Sequence, residues 1–284
     1  TSAGDTGYAQ GTLTLTAGTL DVNNLTNGIQ RANNTATESG IVNVNGTATL
    51  ASTNIILAQI APGGTTSLVT GTLNVTNGTV RGNISAGGGV STINVNGGTL
   101  AVTRTAGTLG APLTALNLTS ASLHLNVDGN NTAAPVNATT VSAIGTTTIT
   151  IDSVVNVTGT QTNHLITYTG TDPIAGLSLA PLPIGYTGSL VDNSGSIDLM
   201  VTVSATPPPP SVRNIIVSGG QVILGGTNNN GAGGTYSVWS STNLTLALTN
   251  WTLLNSGSFD ANGNFSSTNA TGTNNARFYI LRVP

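Results

Sequence analysis

The chain contains no cysteine, so neither a disulfide framework nor a thiolate metal site can hold it together. This absence does not place it in a compartment. It contains no lysine either; its six basic residues are all arginine, scattered from Arg31 to Arg282. With a formal net charge of −3 and no basic stripe, phosphate-driven nucleic-acid binding is excluded as a main function. No run of 18 apolar residues is present, which argues against a membrane-spanning helix. Helical periodicity is missing as well, because glycine and β-branched residues interrupt every candidate segment. Only 5% of residues are charged. Such a composition can mean a polar linker, but linkers lack regularly spaced aliphatic residues. Here 38% of residues are hydrophobic, and they alternate, which gives each strand a face to bury.

What the chain does have is one recurring phrase: two short alternating runs joined by a small-residue turn. It reads Leu13-Thr-Leu-Thr-Ala-Gly-Thr-Leu-Asp-Val22, then Val42-Asn-Val-Asn-Gly-Thr-Ala-Thr-Leu50 and Leu73-Asn-Val-Thr-Asn-Gly-Thr-Val80. Ile93-Asn-Val-Asn-Gly-Gly-Thr-Leu-Ala-Val102 and Leu116-Asn-Leu-Thr-Ser-Ala-Ser-Leu-His-Leu125 follow, with a looser copy at Ile149-Thr-Ile-Asp-Ser-Val-Val-Asn-Val157. The copies lie roughly 20–32 residues apart, the range of stacked repeat architectures. Val, Ile and Thr suit a pleated surface, and Ala-Gly, Asn-Gly and Gly-Gly suit turns with positive φ. Hairpins within each copy or a parallel β-helix stacking like on like could both use the pattern. The recurrence of Leu15, Val44, Val75, Val95, Leu118 and Ile151 at one position favours the β-helix, with aliphatic columns inside and Asn and Thr columns outside. Asn54–Ile60 is a candidate third strand. Six to eight rungs at about 4.8 Å give a rod roughly 30–40 Å long.

Residues 160–206 depart from the phrase. His164–Tyr168, Gly176–Leu179, Tyr186–Val191 and Ser196–Val203 still read as strands, with Pro173, Pro181 and Pro183 as breaks. They are expected to be modified last turns that close the rod. Pro207-Pro-Pro-Pro210 favours polyproline II and a semi-rigid linker. Seven aromatic residues lie after it: Tyr236, Trp239, Trp251, Phe259, Phe265, Phe278 and Tyr279. Strands are expected at Ile215–Ser218, Gln221–Gly225, Thr235–Ser240, Trp251–Ser256, Asn264–Thr268 and Arg277–Val283, with an Asn-Gly hairpin turn in Phe259–Phe265. The expected class is therefore all-β: a right-handed parallel β-helix in 1–159, modified terminal turns in 160–206, a linker at 207–210 and a small antiparallel β-sandwich in 211–284.

Several of these segments resemble autotransporter-associated β-strand repeat proteins. They are Gly11-Thr-Leu-Thr-Leu-Thr-Ala-Gly-Thr-Leu-Asp-Val22, Leu165-Ile-Thr-Tyr-Thr-Gly170, Gly185-Tyr-Thr-Gly-Ser-Leu-Val-Asp-Asn193 and Ser196-Ile-Asp-Leu199. The tail, with Tyr236-Ser-Val-Trp-Ser-Ser-Thr-Asn-Leu244, Asn250-Trp-Thr-Leu-Leu254 and Arg277-Phe-Tyr-Ile-Leu-Arg-Val-Pro284, is similar to C-terminal modules of large bacterial surface proteins with such repeats. The resemblance implies an exported, surface-associated β-helix.

Chemistry is hard to find in the sequence. Glycoside hydrolysis needs two carboxylates a fixed distance apart. Yet Asp5, Asp21, Glu38, Asp128, Asp152, Asp172, Asp192 and Asp198 stand mostly alone near turns. A lyase wants a basic residue beside carboxylates, and Arg31, Arg81 and Arg104 have no acidic neighbour in sequence, though stacking could supply one. His124 and Asp128 share strand parity, but no Gly-x-Ser-x-Gly turn offers a nucleophile. His124 and His164, without cysteine, do not suggest zinc. Asp260-Ala-Asn-Gly-Asn264 resembles the start of a calcium loop, but Phe265 stands where glycine is needed. Asn-x-Ser/Thr triplets, such as those at Asn24, Asn45 and Asn74, are frequent and would accept glycans in a host that makes them. Trp239 and Trp251 could stack on sugars or fill a core. The expectation is no catalytic, cofactor-binding or metal-binding residue, and no enzyme.

A β-helix ends in strands with unpaired backbone groups, which solenoids normally cap. No amphipathic capping helix is visible in Thr1–Gly11. Uncapped rungs can pair with another copy, and a head-to-tail contact that does not close makes a fibre. The leading expectation is a secreted structural protein that polymerises with itself, its joint completed by the C-terminal module or by Thr1–Gln10. The alternatives are a monomeric surface adhesin or stalk binding cell-surface or matrix glycans, and a polysaccharide lyase or hydrolase. Thr1 in place of a starting Met is read as the trace of a removed export signal, and the Lys-free, Thr/Asn-rich surface points to an extracellular or cell-surface location.

Overall fold

A computed structural model describes residues 8–30, 37–62, 69–204, 211–228, 234–271 and 276–283. The Pro207–Pro210 linker and Thr1–Gly7 lie outside these. The chain divides into two compact units, Thr1–Ser204 and Ala205–Pro284.

The first unit is a parallel β-solenoid in which each of the first five copies of the phrase contributes one strand to each of two sheets. The first sheet holds β1 (Tyr8–Leu15), β3 (Thr37–Asn45), β5 (Val69–Thr76), β7 (Val90–Asn96), β9 (Leu113–Thr119) and β11 (Val136–Ile144). These pair in that order, all parallel. The second holds β2 (Thr19–Gln30), β4 (Thr49–Ile60), β6 (Thr79–Ala86), β8 (Thr99–Ala106), β10 (Ser122–Asp128), β12 (Thr147–Val155) and β14 (Leu177–Leu179). They too stack in parallel. Each of these five copies spans the corner between the sheets, so its two runs meet their equivalents in neighbouring rungs rather than each other.

Alternation sorts the side chains. In the first sheet Leu15, Val44, Val75, Val95 and Leu118 lie in register. In the second, Leu20, Leu50, Val80, Leu100, Leu123, Ile149 and Leu179 do the same. The interior members are fully buried, each worth about 1.5–3 kcal/mol over exposure. Outward-facing residues of the first sheet make a polar column. Asn43 Nδ2 donates to Thr14 Oγ1, Asn74 to Asn43, Asn94 to Asn74 and Asn117 to Asn94, at 3.2, 2.8, 2.8 and 2.8 Å.

Two expectations need correction. Ile151 does not continue the first column. It lies in β12 opposite Leu125, and the first-sheet residue opposite Leu118 is Ala143. Asn54–Ile60 is no third strand. It is the second half of β4, where a bulge after Ser52 switches the buried parity from Leu50 and Ser52 to Ile55 and Leu57.

The two corners differ. From first sheet to second, the turn takes two or three residues. Its left-handed position recurs in consecutive rungs as Gly46, Asn77, Gly97, Ser120 and Gly145. Each of the first four donates its N–H to the next rung, Gly46 to Thr76 O, Asn77 to Asn96 O, Gly97 to Thr119 O and Ser120 to Ile144 O, at 2.9–3.0 Å. The return corner takes three to eight residues. Beside it the sheets converge on a column of small residues. A Cβ on Gly71 would lie 2.4 Å from Ala58 N and 2.5 Å from Asn27 O. One rung on, fully buried Ser91 fills this column, exchanging hydrogen bonds with Thr114: Ser91 N to Thr114 Oγ1 and Thr114 N to Ser91 Oγ.

The parallel stack ends in antiparallel strands. In these, β16 (Ser196–Val203) lies between β13 (Thr160–Thr167) and β15 (Tyr186–Asp192), and β13 joins β11 through Val136 and Asn137.

The second unit has two three-stranded antiparallel sheets. In one, β18 (Gln221–Thr227) lies between β17 (Ser211–Ser218) and β21 (Asn264–Ala270). In the other, β19 (Thr235–Ser241) lies between β20 (Thr252–Ser258) and β22 (Phe278–Arg282). They share a core of Val222, Leu224, Tyr236, Val238, Phe259 and Phe265. The three rings sit 5.1–5.9 Å apart in tilted and edge-on pairs, the arrangement their quadrupoles favour.

Candidate functional sites: the ends of the stack and a polar cleft

Among the described residues β1 pairs only with β3, and β2 only with β4. Their outer edges carry unpaired backbone groups. Leu13, Leu15, Leu20, Val22 and Leu25 begin the apolar columns and are only partly covered. A cavity of about 470 Å3 opens among them, between Gln10–Leu13, Leu25–Ile29 and Ser39–Val42. At the other end β14 pairs only with β12, and β15 only with β16. Between them runs a groove of about 770 Å3 lined by Ile174, Leu177, Leu179, Leu182, Tyr186 and Leu190, with Ile184 fully exposed nearby in sequence. In the second unit β17 is an edge strand that exposes Val212, Ile215, Ile216 and Val217.

A polar cleft lies within the stack. β8 pairs with β10 only over Thr99–Ala101, after which the strands part. On the β6 side, three residues of β8, Thr103, Arg104 and Thr105, oppose the single residue Asn83. Asn83 Oδ1 pins this excursion by accepting from Thr105 N and Oγ1 at 3.1 and 2.8 Å. The gap, about 330 Å3, is lined by Arg104, Asn126, Asp128, Asn131, Asn163 and His164 among others.

Its walls are fixed by hydrogen bonds. Asp128 accepts from Asn156 Nδ2 at 2.9 Å and Asn130 N at 3.0 Å, and these bonds hold its carboxyl below the usual range. His164 Nδ1 lies 2.7 Å from Oδ1 of Asp198. Burial works against the Asp198 charge, but hydrogen bonds from Asn193 and His164 outweigh it and keep the carboxyl below its ordinary value. An ionised Asp198 accepts from Nδ1–H, so Nε2 of the half-exposed ring is left for other partners. Asn163 is 6% exposed. Its Oδ1 accepts from Gln161 Nε2 at 3.1 Å, while its Nδ2 has no partner. Arg104 is exposed and makes no ion pair among the described residues.

The structure separates other residues that the sequence singles out. His124 turns not to Asp128 but to Asp152 of the next rung, at 2.7 Å, because Asp152 is the extra residue of a bulge between Ile151 and Ser153. Among the described residues no three His, Asp or Glu side chains converge as metal ligands. Asp260 spends its carboxylate on its own turn, accepting from Asn262 N, Asn264 N and Asn264 Nδ2 at 2.8, 2.7 and 3.2 Å. Trp251 is buried, with Nε1 donating to Leu246 O at 3.1 Å. Trp239 donates to Ser237 Oγ at 2.9 Å, and the Arg282 guanidinium lies 5.9 Å from its ring centre. Tyr168 places its hydroxyl 3.2 and 3.3 Å from Asp172 and Asp192. Sequence reasoning missed the polar cleft, since its residues come from four strands and a loop. The one signal was the break in alternation at Thr103-Arg-Thr105, directly after the fourth copy of the phrase. Comparison of the chain with protein-family models, with curated proteins and with solved structures returned no match.

Proposed function

We propose that the protein is a secreted structural protein whose copies join head to tail into an extracellular filament, with no catalytic role. The supporting observation is the contrast along one column. Leu50 to Ile149 are fully buried, whereas Leu20, the member at the first rung, is left half-covered beside a strand edge that has no partner among the described residues. A strand from another copy added there would extend both the hydrogen-bond ladder and the apolar column, the usual logic of β-augmentation. The groove between β14 and β15 offers apolar surface and free strand edges at the opposite end, so the contact is heterologous and propagates. The exposed apolar edge of β17 is suited to brace the joint. The resemblance to autotransporter-associated repeats supports an exported protein. No helix among the described residues is long and apolar enough to cross a membrane.

Negative-stain electron microscopy of the purified protein tests this reading. Filaments are expected for the wild type, and dispersed particles for the Leu20→Lys/Val22→Lys double variant, which charges the open edge while leaving later rungs intact. Wild-type particles that stay monomeric across salt and pH would remove the proposal. The rival reading of a glycan-binding stalk acting through the tryptophans gains nothing from Trp251, whose indole is enclosed in its own unit.

A further inference from the structure

We infer that the cleft between β8 and β10 is a binding site for a carboxylated sugar, such as a uronic acid unit of an acidic polysaccharide. The inference stands apart from filament formation, because the cleft lies within the stack and uses neither end.

Three observations converge on this ligand. The first is that the site is built rather than accidental. Parting of β8 from β10 opens a gap in an otherwise continuous sheet. Asn83 clamps one wall, Asn156 holds Asp128 on another, and Asp198 fixes the His164 ring. Second, the lining carries charges of both signs. Arg104 brings a guanidinium fork without an ion-pair partner among the described residues, suited to bidentate capture of a carboxylate. Asp128, ionised and acceptor-only, would repel an anion but accept hydrogen bonds from hydroxyl groups. One ligand satisfies both: a ring with a carboxylate at one position and hydroxyls at others. A phosphate monoester dianion, whose phosphate group has no hydroxyl to donate to Asp128, fits less well. Third, the remaining groups are hydrogen-bonding rather than apolar. Asn126, Asn131 and His164 line this space, and Asn163, a buried lining residue, keeps an unused Nδ2 donor. A volume of about 330 Å3 is at the small end of ligand pockets, enough for about one sugar ring. With no aromatic platform among its lining residues, each site should bind weakly, and copies arrayed on a filament would add avidity.

The test is a nitrogen-15 NMR titration of the full-length Leu20→Lys/Val22→Lys variant, which is expected to stay dispersed and leaves the cleft lining unchanged, with tri-galacturonate, neutral galactotriose and a sulfated galactotriose. The arginine variants are made in the same background. Saturable shifts confined to residues around Arg104, Asn126 and His164 are expected with tri-galacturonate, and affinity at least tenfold weaker for the neutral sugar. Arg104→Ala should weaken tri-galacturonate binding at least tenfold without changing the melting temperature, because the side chain is exposed. Arg81→Ala, an exposed arginine outside the cleft, should leave binding unchanged. No saturable shift, shifts elsewhere, or equal loss in both arginine variants overturns the assignment. Equal affinity for the sulfated sugar would also overturn it, by showing a general anion site.

Discussion

Asn94 Nδ2 donates to Asn74 Oδ1 at 2.8 Å, one step of a column whose donors all point toward the first rung. Each interior asparagine gives and receives, whereas Asn117 only gives to Asn94. An interior member should therefore matter more than the last. Asn94→Ala is expected to lower unfolding free energy by about 1–2 kcal/mol, from two partly exposed amide bonds, and Asn117→Ala by about half as much. Urea denaturation of the two variants would show the difference; equal costs would mean that the column adds no directional support.

Glycine at one position in the small-residue column is dispensable at the open end and required inside. A Cβ on Gly11 meets nothing within 4 Å, whereas one on Gly71 strikes backbone at 2.4 Å. Gly11→Ala should leave the melting temperature within a degree or two. Gly71→Ala should cost about 3 kcal/mol or more, since backbone cannot step aside as a side chain can.

The tight corner offers a stabilising change. Ser120 sits at φ 46° where adjacent rungs place Gly97 and Gly145. Left-handed backbone costs a residue with a Cβ about 1 kcal/mol. Ser120→Gly is expected to raise stability by up to about 1 kcal/mol, read as a shift of the denaturation midpoint to higher urea.

Stability should fall at both extremes of pH, for separate reasons. Burial, with the Asp172 and Asp192 charges, pushes the Tyr168 phenol up to about 12 from an unfolded value near 10. Its contribution is full below pH 10 and is lost as pH rises from there through 12. Tyr168→Phe should remove that loss from a melting-temperature profile. Asp198 has a lowered carboxyl pKa. Its contribution is full above the ordinary value of 3.8 and is lost as pH falls through the lower folded value. Asp198→Asn should flatten the acid limb while lowering stability at neutral pH, where the buried carboxylate accepts from Asn193 and His164.

Much of the fold can be read from local pattern. The column from Leu15 to Leu118 follows from alternation, and all six strands of the second unit follow from their β-branched and aromatic content and the turn residues between them, although β17 exposes its apolar residues instead of burying one face. Ile151 shows where that logic stops. Ile149-Thr-Ile reads like the start of a first-sheet strand, yet alternation says nothing about which sheet a strand joins. The true first-sheet strand of that rung presents only the small Ala143 in the column. Parity held for His124, which shares the outward face of β10 with Asp128, but counting by twos within one strand cannot see the inserted residue Asp152 that brings a carboxylate of the next rung to it. The cleft was hidden for a third reason. It exists because two strands separate after three paired residues, and separation of neighbours is a property of the stack rather than of any segment.

The unequal corners make the solenoid a one-sided display surface. On the short corner, one left-handed residue per rung recurs from Gly46 to Gly145, and four of the five bond the next rung, so an added loop there would force two sheets out of register. The long corner already varies from three to eight residues between rungs, and loop closure there grows only slowly more costly with length. Peptides grafted at successive long corners would stand in single file along one edge, about 4.8 Å apart, close enough for one receptor to read several at once.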